Sequence, residues 1–164
     1  MLETLQTNDG SDGRVETALR PATLVLNDEY IQTAIALIKS ATSEIRLTAY
    51  AWRWYTDEPE SGIQKLNMEL YACRRRGVTV RAIVDTFTTR EQMRAQGFDV
   101  KCVESKRTMH TKAISADNSL LLIGSHNMTK RANTDNFETS VLLHDFEPVA
   151  AYNEYFDKLW NVYG

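Results

Sequence analysis

The sequence has little of several features that would place it in a special class of protein. It contains two cysteines, Cys73 and Cys102, and their separation fits no metal-binding motif. A disulfide framework is therefore not expected, and a reducing, cytoplasmic location is compatible with this composition. No apolar run approaches the length of a membrane-spanning helix, so stable insertion into a membrane is not expected.

The first twenty residues also lack the basic start and the apolar core of a signal peptide. They are mostly polar and contain turn-forming residues from Asn8 to Gly13. We expect a loose N-terminal arm over residues 1–20 and one folded domain over residues 21–164. A chain of 164 residues, 43% of them hydrophobic, is long enough to bury a substantial core.

The net charge of −3 conceals an uneven distribution of charge along the chain. Residues 1–73 carry six Lys/Arg and eleven Asp/Glu, and residues 132–164 carry one and six, so each segment has a net charge of −5. Residues 74–131 carry twelve and five, a net charge of +7. This middle segment indicates a basic region suited to an anionic partner, although a solvated basic face is the alternative.

Hydrophobic periodicity predicts strands that alternate with helices. Asn27-Asp28 is a natural N-cap for a helix that continues to about residue 40, and Gly77 and Gly97 are placed to end two further helices. A polar loop is expected up to Asn136, and a last amphipathic helix begins near Val149. This order predicts an α/β layered domain with a mixed β-sheet. Strands are predicted over residues 44–52, 78–85, 98–103, 120–123 and 139–144.

The stretch from Met109 to Glu138 concentrates side chains suited to chemistry on a phosphate. His110 and Lys112 are two residues apart and would project from the same face of a strand. An imidazole can attack phosphorus, and a neighbouring ammonium can offset the charge of the phosphoryl oxygens.

A second group of polar residues follows a short hydrophobic strand. That strand leads to Gly124, where the backbone could approach a ligand closely. Ser125 and Asn127 come next and offer hydroxyl and amide groups that could hold phosphate oxygens.

Together these residues resemble the HxKxxxxD…GSxN signature of the phospholipase D superfamily. Asn136 and Glu138 resemble the polar pair that follows the signature in that family. The order of elements extends the resemblance to most of residues 21–164, and the closest type is the small single-motif nuclease. A chance hairpin with a core histidine is the alternative. The six matching positions are His110, Lys112, Asp117, Gly124, Ser125 and Asn127.

The resemblance implies a phospholipase D-like layered domain with one motif per chain. Family members generally bring two motifs together, so that one histidine attacks phosphorus and the other protonates the leaving oxygen. The HxK pattern occurs once in this sequence. We therefore expect a homodimer whose two-fold axis unites two copies of the site. The alternative is a monomer without catalytic activity.

The resemblance also implies roles for individual side chains. His110 would be the nucleophile that forms a phosphohistidine. Lys112 and Asn127, with help from Ser125, would bind the non-bridging oxygens. Glu138 would accept a hydrogen bond from a histidine ring and fix its tautomer. No metal or cofactor is expected, because lysines supply the positive charge. Asn136 is a further candidate for the substrate-binding site.

Two motif residues are predicted to be structural. Asp117 lies seven residues after His110, an odd separation on a strand, and Asp117-Asn118 fits a hairpin turn. Gly124 is predicted to be structural because it has no side chain and acts through its backbone. His126 occupies the unconstrained position of the GSxN element, and it could be either an auxiliary donor or a core or surface residue.

Four residues outside the signature are candidates for binding the substrate. Trp52 and Arg53 follow a predicted strand, and an aromatic ring beside a cation can stack on an unpaired base and hold its backbone. Trp52 could instead belong to the core or to a dimer contact. Lys130 and Arg131 flank the second half of the signature, which ends at Asn127.

The sequence therefore favours a metal-independent endonuclease, acting on DNA or RNA as a homodimer. A phospholipase D-type hydrolase acting on cardiolipin is one alternative. A nucleic-acid-binding module without catalytic activity is another, although the presence of His110, Lys112, Asn127 and Glu138 weighs against it.

Overall fold

A computed structural model describes residues 22–163 of the chain, so the predicted N-terminal arm lies outside the described residues. This part contains seven strands and five helices. The strands are β1 (Ala22–Leu26), β2 (Glu44–Ala49), β3 (Thr79–Val84), β4 (Asp99–Cys102), β5 (Lys112–Ala116), β6 (Leu120–Gly124) and β7 (Thr139–Leu143). The helices are α1 (Glu29–Ser40), α2 (Gly62–Arg75), α3 (Phe87–Ala95), α4 (Lys130–Thr134) and α5 (Phe146–Val162).

The strands form one mixed sheet in the order β1-β7-β6-β5-β2-β3-β4, which confirms the predicted fold class. β2, β3 and β4 pair in parallel, and the remaining pairs are antiparallel. As a result, β1, β2, β3, β4 and β6 end at the same side of the sheet at which β5 and β7 begin. We call this side the His110 end, because His110 lies just before β5, and the opposite side the Asp117 end.

Helices cover both faces of the sheet. On one face, α1 and α2 pack against the side chains of Ile45 and Leu47 on β2. On the other face, α5 covers the sheet, and its Phe156 packs with Ile83 of β3. The Thr48 hydroxyl of β2 lies 3.1 Å from the Tyr152 hydroxyl of α5. Successive side chains of β2 therefore point to two faces that are both covered by helices.

The predicted helix ends are confirmed at both glycines. Gly77 and Gly97 follow α2 and α3 with φ angles of +93° and +83°, which other residues adopt only at a cost. The start of α1 is also where the sequence places it, but the Asp28 side chain makes no capping hydrogen bond. Instead, the Glu29 carboxylate accepts a hydrogen bond from the backbone N–H of Leu26 at 2.8 Å.

Sequence patterns missed two elements. β1 is an outer strand with one buried residue, Val25, so its sequence shows no alternation. α4 lies inside the segment that was expected to be a polar loop, and its five residues, KRANT, are too short and too polar to show helical periodicity. The Thr129 side chain caps α4 by accepting from the backbone N–H of Ala132 at 3.4 Å.

Candidate active site

The sheet gathers most of the motif at the His110 end. The register places Lys112 of β5 opposite Gly124 of β6, and Gly124 opposite Ser140 of β7. His110, Ser125 and Glu138 therefore lie just beyond the ends of three neighbouring strands. Residues that are up to 28 positions apart in the sequence come together because these strands are adjacent.

His110 and Lys112 lie together, as predicted, although β5 begins only at Lys112 and not before His110. The Lys112 ammonium donates a hydrogen bond to the backbone carbonyl of His110 at 2.6 Å. The His110 ring is exposed, and its centroid lies 4.9 Å from that of Tyr50. The same Tyr50 ring lies beneath the ammonium, which is 5.1 Å from the ring centroid. Tyr50 is therefore a site residue that sequence reasoning missed.

The Lys112 side chain is unusually dry for a lysine, since the residue is only 9% exposed. Burial lowers the pKa of Lys112, while the carboxylates of Glu138 and Asp85 act in the opposite direction. A poorly hydrated cation interacts more strongly with an incoming anion than an exposed one does.

Asp85 is a second site residue that the sequence did not reveal. It directly follows β3 and accepts a hydrogen bond from the backbone N–H of Met109 at 2.7 Å. This bond fixes the loop that carries His110. An acidic residue at the end of a buried parallel strand was the available signal.

Glu138 links Ser125 and Asn136 by hydrogen bonds. Its carboxylate accepts hydrogen bonds from the Ser125 hydroxyl and from the Asn136 amide, the latter at 2.9 Å. The Ser125 oxygen also accepts from the backbone N–H of Thr139 at 3.0 Å. No histidine ring donates a hydrogen bond to Glu138 within residues 22–163, so the partner expected for this carboxylate is not found in the described part of the chain. Each carboxylate oxygen keeps further acceptor capacity.

The Asn127 side chain is hydrogen-bonded to the segment that follows β2. Its side-chain oxygen accepts a hydrogen bond from the backbone N–H of Ala51 at 3.2 Å. This bond orients the carboxamide and leaves its NH₂ group without a hydrogen-bond acceptor among the described residues. An oriented donor of this kind suits a phosphoryl oxygen.

Gly124 has a packing reason to be a glycine. A side chain at this position would collide with the Ser140 side chain and with the backbone of Thr139 and Ser140. The glycine therefore allows β7 to approach β6 closely.

Asp117 lies at the opposite end of β5, in the predicted turn between β5 and β6. Its φ angle is +52°, and its carboxylate accepts hydrogen bonds from the backbone N–H groups of Thr42, Ser43 and Glu44 at 2.8–3.0 Å. The Thr42 hydroxyl donates a fourth bond at 3.0 Å. Burial alone would raise the pKa of Asp117, but these donors outweigh it and lower the pKa. Such contacts stabilise a turn.

Trp52 is not available to a substrate, so the prediction that it binds nucleic acid is wrong. The residue is fully buried, and its indole N–H donates to the side-chain oxygen of Asn67 at 2.7 Å. Its ring packs against Phe98, with 5.6 Å between the centroids. A buried partner for the indole N–H could not be foreseen from the local sequence.

The predicted basic residues differ in how available they are. Lys130 forms an ion pair with Glu58, so its charge is partly engaged. Four exposed cations in the segments that join strands at the His110 end make no ion pair within residues 22–163. They are Arg53, Lys106, Arg107 and Arg131.

His126 is a core residue rather than an auxiliary donor at the surface. It is 1% exposed, its Nδ1 lies 2.7 Å from the Ser140 hydroxyl, and its Nε2 lies 3.0 Å from the backbone carbonyl of Asn27. Its ring stacks on Tyr30, with 4.4 Å between the centroids. Burial lowers the pKa of His126, although the bond to Asn27 and the charge of Glu138 oppose this change.

Among the described residues, no three His, Cys, Asp or Glu side chains are grouped so that they could hold a metal ion. None of the helices from α1 to α5 has the length and apolar character needed to cross a membrane.

Comparison with known proteins places these features in context. The family model "Cardiolipin synthase, PLD-like domain" matches residues 34–160. A mitochondrial cardiolipin hydrolase of Chlamydomonas reinhardtii is 35% identical over 94 residues, which cover 54% of this chain and 42% of that protein. The mitochondrial cardiolipin hydrolase of Xenopus tropicalis is 33% identical over 94 residues, or 54% of this chain and 45% of that protein. The matched region thus spans less than half of either relative.

Solved structures share the fold. The phospholipase D family member Nuc from Salmonella typhimurium superposes with a TM-score of 0.71 and 24% identity, over 85% of this chain and 93% of that one. NucT from Helicobacter pylori gives 0.70 and 18%, over 85% and 95%. TrmBL2, an archaeal chromatin protein with a novel mode of DNA binding, gives 0.59 and 14%, over 90% and 54%.

Proposed function

The chain belongs to the phospholipase D superfamily, and from that membership we propose that it is a metal-independent phosphodiesterase that cleaves DNA or RNA. The observation that carries this proposal is the pairing of an exposed imidazole, His110, with the dry ammonium of Lys112. The two lie at one end of the sheet together with Ser125, Asn127 and Glu138.

In the first step, a ring nitrogen of His110 attacks phosphorus and the bond from phosphorus to the leaving oxygen breaks. A second histidine donates the proton that the leaving oxygen requires. Water then attacks the phosphohistidine and transfers a proton to the second histidine, which releases the product and restores both rings. Lys112 and the Asn127 amide N–H offset the negative charge on the phosphoryl oxygens.

The second histidine is best supplied by another copy of the chain. The chain has three histidines; His126 is buried with both ring nitrogens engaged, and His144 follows the last residue of β7, at the Asp117 end. An exposed His110 can face the His110 of a partner across a two-fold axis. In that arrangement Glu138 can also reach a histidine ring. The proposed dimer should sediment at twice the chain mass of 18.7 kDa.

The surroundings of the site favour a nucleic acid as the substrate. Arg53, Arg131 and the Lys106-Arg107 pair bring positive charge to the loops around His110, and they make no ion pair within residues 22–163. A row of phosphates would use several such cations at once, and binding would weaken as salt is added.

A cardiolipin-type lipid is the second candidate substrate. The two curated relatives are named as cardiolipin hydrolases. In this chain Phe137, which directly precedes Glu138, is 99% exposed and could contact an acyl region. Lipid cleavage would use the same chemistry at His110.

The test is a cleavage assay in EDTA with labelled single-stranded DNA, duplex DNA, RNA and cardiolipin vesicles. Wild-type protein should cleave at least one nucleic acid, and denaturation at alkaline pH, at which a phosphohistidine is stable, should trap the phosphoryl group on the His110 peptide. The His110→Asn variant should do neither. Activity that disappears with chelator and returns with magnesium or zinc would contradict the mechanism. Binding without any cleavage would instead support the non-catalytic alternative.

A further inference from the structure

Asn27, in the turn between β1 and α1, makes contacts that its expected role as a helix cap does not explain. Its φ angle is +44°, in the left-handed region that asparagine tolerates better than most residues. Its side-chain oxygen accepts a hydrogen bond from the backbone N–H of Glu138 at 3.0 Å. Its own backbone N–H donates to the backbone carbonyl of Glu138 at 3.1 Å. Both backbone polar groups of Glu138 are thus bonded to Asn27.

Asn27 is itself held from behind by a buried ring. A carbonyl oxygen only accepts hydrogen bonds, so the 3.0 Å contact from Asn27 requires the proton on Nε2 of His126. Nδ1 of His126 then accepts from the Ser140 hydroxyl at 2.7 Å. The ring is clamped against Tyr30, with an angle of 9° between the ring planes. The buried His126 ring therefore fixes the position of the turn that contains Asn27.

The residues just before Glu138 have few anchors, whereas Thr139, directly after it, is hydrogen-bonded to Ser125. Glu138 precedes β7, so it lies outside the ladder that joins β7 to β6. Phe137 is 99% exposed and contributes no packing, and Asn136 is also exposed. Ser125 holds the neighbouring Thr139, and the bonds to Asn27 hold the Glu138 backbone between that anchor and the exposed Phe137.

We propose that Asn27 is a positioning residue that sets the place of the Glu138 carboxylate and, through it, of the Ser125 hydroxyl. The inference rests on the proposed function, because it assigns Asn27 to the same catalytic site. Asn27 touches no reacting atom in this scheme. It acts by holding Glu138, and a small displacement of a catalytic group can lower turnover strongly.

Two substitutions separate the side-chain bond from the backbone conformation. Asn27→Gly keeps the left-handed turn but removes the acceptor, whereas Asn27→Asp keeps both the turn and the acceptor. Asp28→Ala is the matched control, because Asp28 lies in the same turn and its side chain makes no capping bond. The readouts are kcat and KM with bis(p-nitrophenyl) phosphate, hydrogen exchange at the Glu138 amide, and Tm.

Asn27→Gly should lower kcat on the order of tenfold to a hundredfold with little change in KM, as expected for a displaced catalytic group. Its Glu138 amide should exchange faster than in the wild type. Asn27→Asp and Asp28→Ala should keep wild-type kcat and exchange. Wild-type kcat in Asn27→Gly would overturn the proposal. An equal loss of kcat in Asn27→Gly and Asn27→Asp would also overturn the proposal. If Asn27→Gly folds poorly, Asn27→Asp still tests the proposal, because a large loss of kcat in that variant alone would overturn it.

The assay also separates this inference from the proposed function. A wild-type protein that cleaves no phosphodiester would overturn the proposed function, and with it a positioning role in catalysis. The exchange data would then still decide whether Asn27 holds the Glu138 backbone. Cleavage by the wild type with unchanged kcat in Asn27→Gly would overturn the Asn27 inference alone.

Discussion

The two ends of β5 carry residues of the same motif under opposite conditions. At one end, His110 is exposed, and its ring contacts the Tyr50 ring without a hydrogen bond to any described residue. At the other end, Asp117 accepts four hydrogen bonds from the start of β2. A motif with fixed spacing can therefore combine side chains that remain available to a ligand with side chains whose hydrogen bonds lie within the fold.

Bonding capacity explains the difference. A side chain that acts on a substrate must keep donors or acceptors that the protein does not use, as His110 does. A structural side chain uses its capacity within the fold, as Asp117 does. Lys112 is intermediate, because one N–H of its ammonium donates to the carbonyl of His110 and the other two N–H groups remain available.

The largest effect should come from the exposed end of β5. His110→Asn should lower turnover on the order of 10⁴-fold or more, because nucleophile and general acid are lost together. The Tm should stay at the wild-type value, since the ring is exposed. Turnover in EDTA and thermal unfolding measure both. Residual activity above about a tenth of the wild-type rate would contradict the catalytic role of His110.

Lys112 should give the next largest effect, and one that depends on pH. As pH rises, the Lys112 ammonium loses its proton and activity should fall. Because the pKa of Lys112 is lowered, this alkaline decline should begin at a lower pH than the ordinary lysine pKa of 10.5 would give. Lys112→Arg should lose activity through altered geometry but should not show this alkaline decline, since a guanidinium stays charged. A profile of kcat against pH for both proteins decides, and an identical alkaline decline would assign it to another group.

Asp117 should affect stability and leave catalysis alone. Asp117→Ala should lower the free energy of unfolding by about 2–4 kcal/mol, because it removes charge-assisted bonds and places alanine in a left-handed turn. Asp117→Asn, which tolerates the turn, should lose about 1–2 kcal/mol. Urea unfolding and kcat are measured together, and wild-type stability combined with lost turnover would show that Asp117 is not structural.

The same comparison has a pH signature. The folded pKa of Asp117 is below its usual value of 3.8, so its contribution is fully present above that value and is lost as pH falls through the folded pKa. The difference in stability between wild type and Asp117→Asn should therefore be constant near neutral pH and shrink below about pH 4. A difference that does not change with pH would contradict this account.

Tyr50 should give the smallest effect. Tyr50→Phe keeps the ring beneath the Lys112 ammonium and should retain nearly full activity. Tyr50→Leu removes the cation–π contact, which is worth about 0.5–2 kcal/mol, and should lower kcat by a few fold to about 30-fold. Steady-state kinetics of the two variants separate the ring from the hydroxyl, and equal losses in both would assign the effect to the hydroxyl.

Local sequence was sufficient for much of the fold and for the motif. Gly77 and Gly97 ended helices as predicted, because each needs a positive φ angle that local sequence can signal. The turn at Asp117 followed from its separation from His110. Such features depend on residues that are close in sequence.

The remaining site residues depend on which strands are neighbours. Tyr50 reaches Lys112 because β2 lies next to β5, and Asn27 reaches Glu138 because β1 lies next to β7. No local pattern specifies either pairing. The wrong prediction for Trp52 has the same origin, since its burial depends on Asn67 and Phe98, which come from other parts of the chain.

Mixed dimers test whether two chains share one catalytic site, and they allow His110 and Asp117, at the two ends of β5, to be compared in the same assembly. Wild-type chains are co-expressed with His110→Asn or with Asp117→Asn chains carrying a different tag, and heterodimers are purified and assayed in EDTA. We predict that the His110→Asn heterodimer is inactive, since one histidine cannot be both nucleophile and acid, whereas the Asp117→Asn heterodimer keeps wild-type turnover. A His110→Asn heterodimer with half of the wild-type activity, or an active wild-type monomer, would contradict the account.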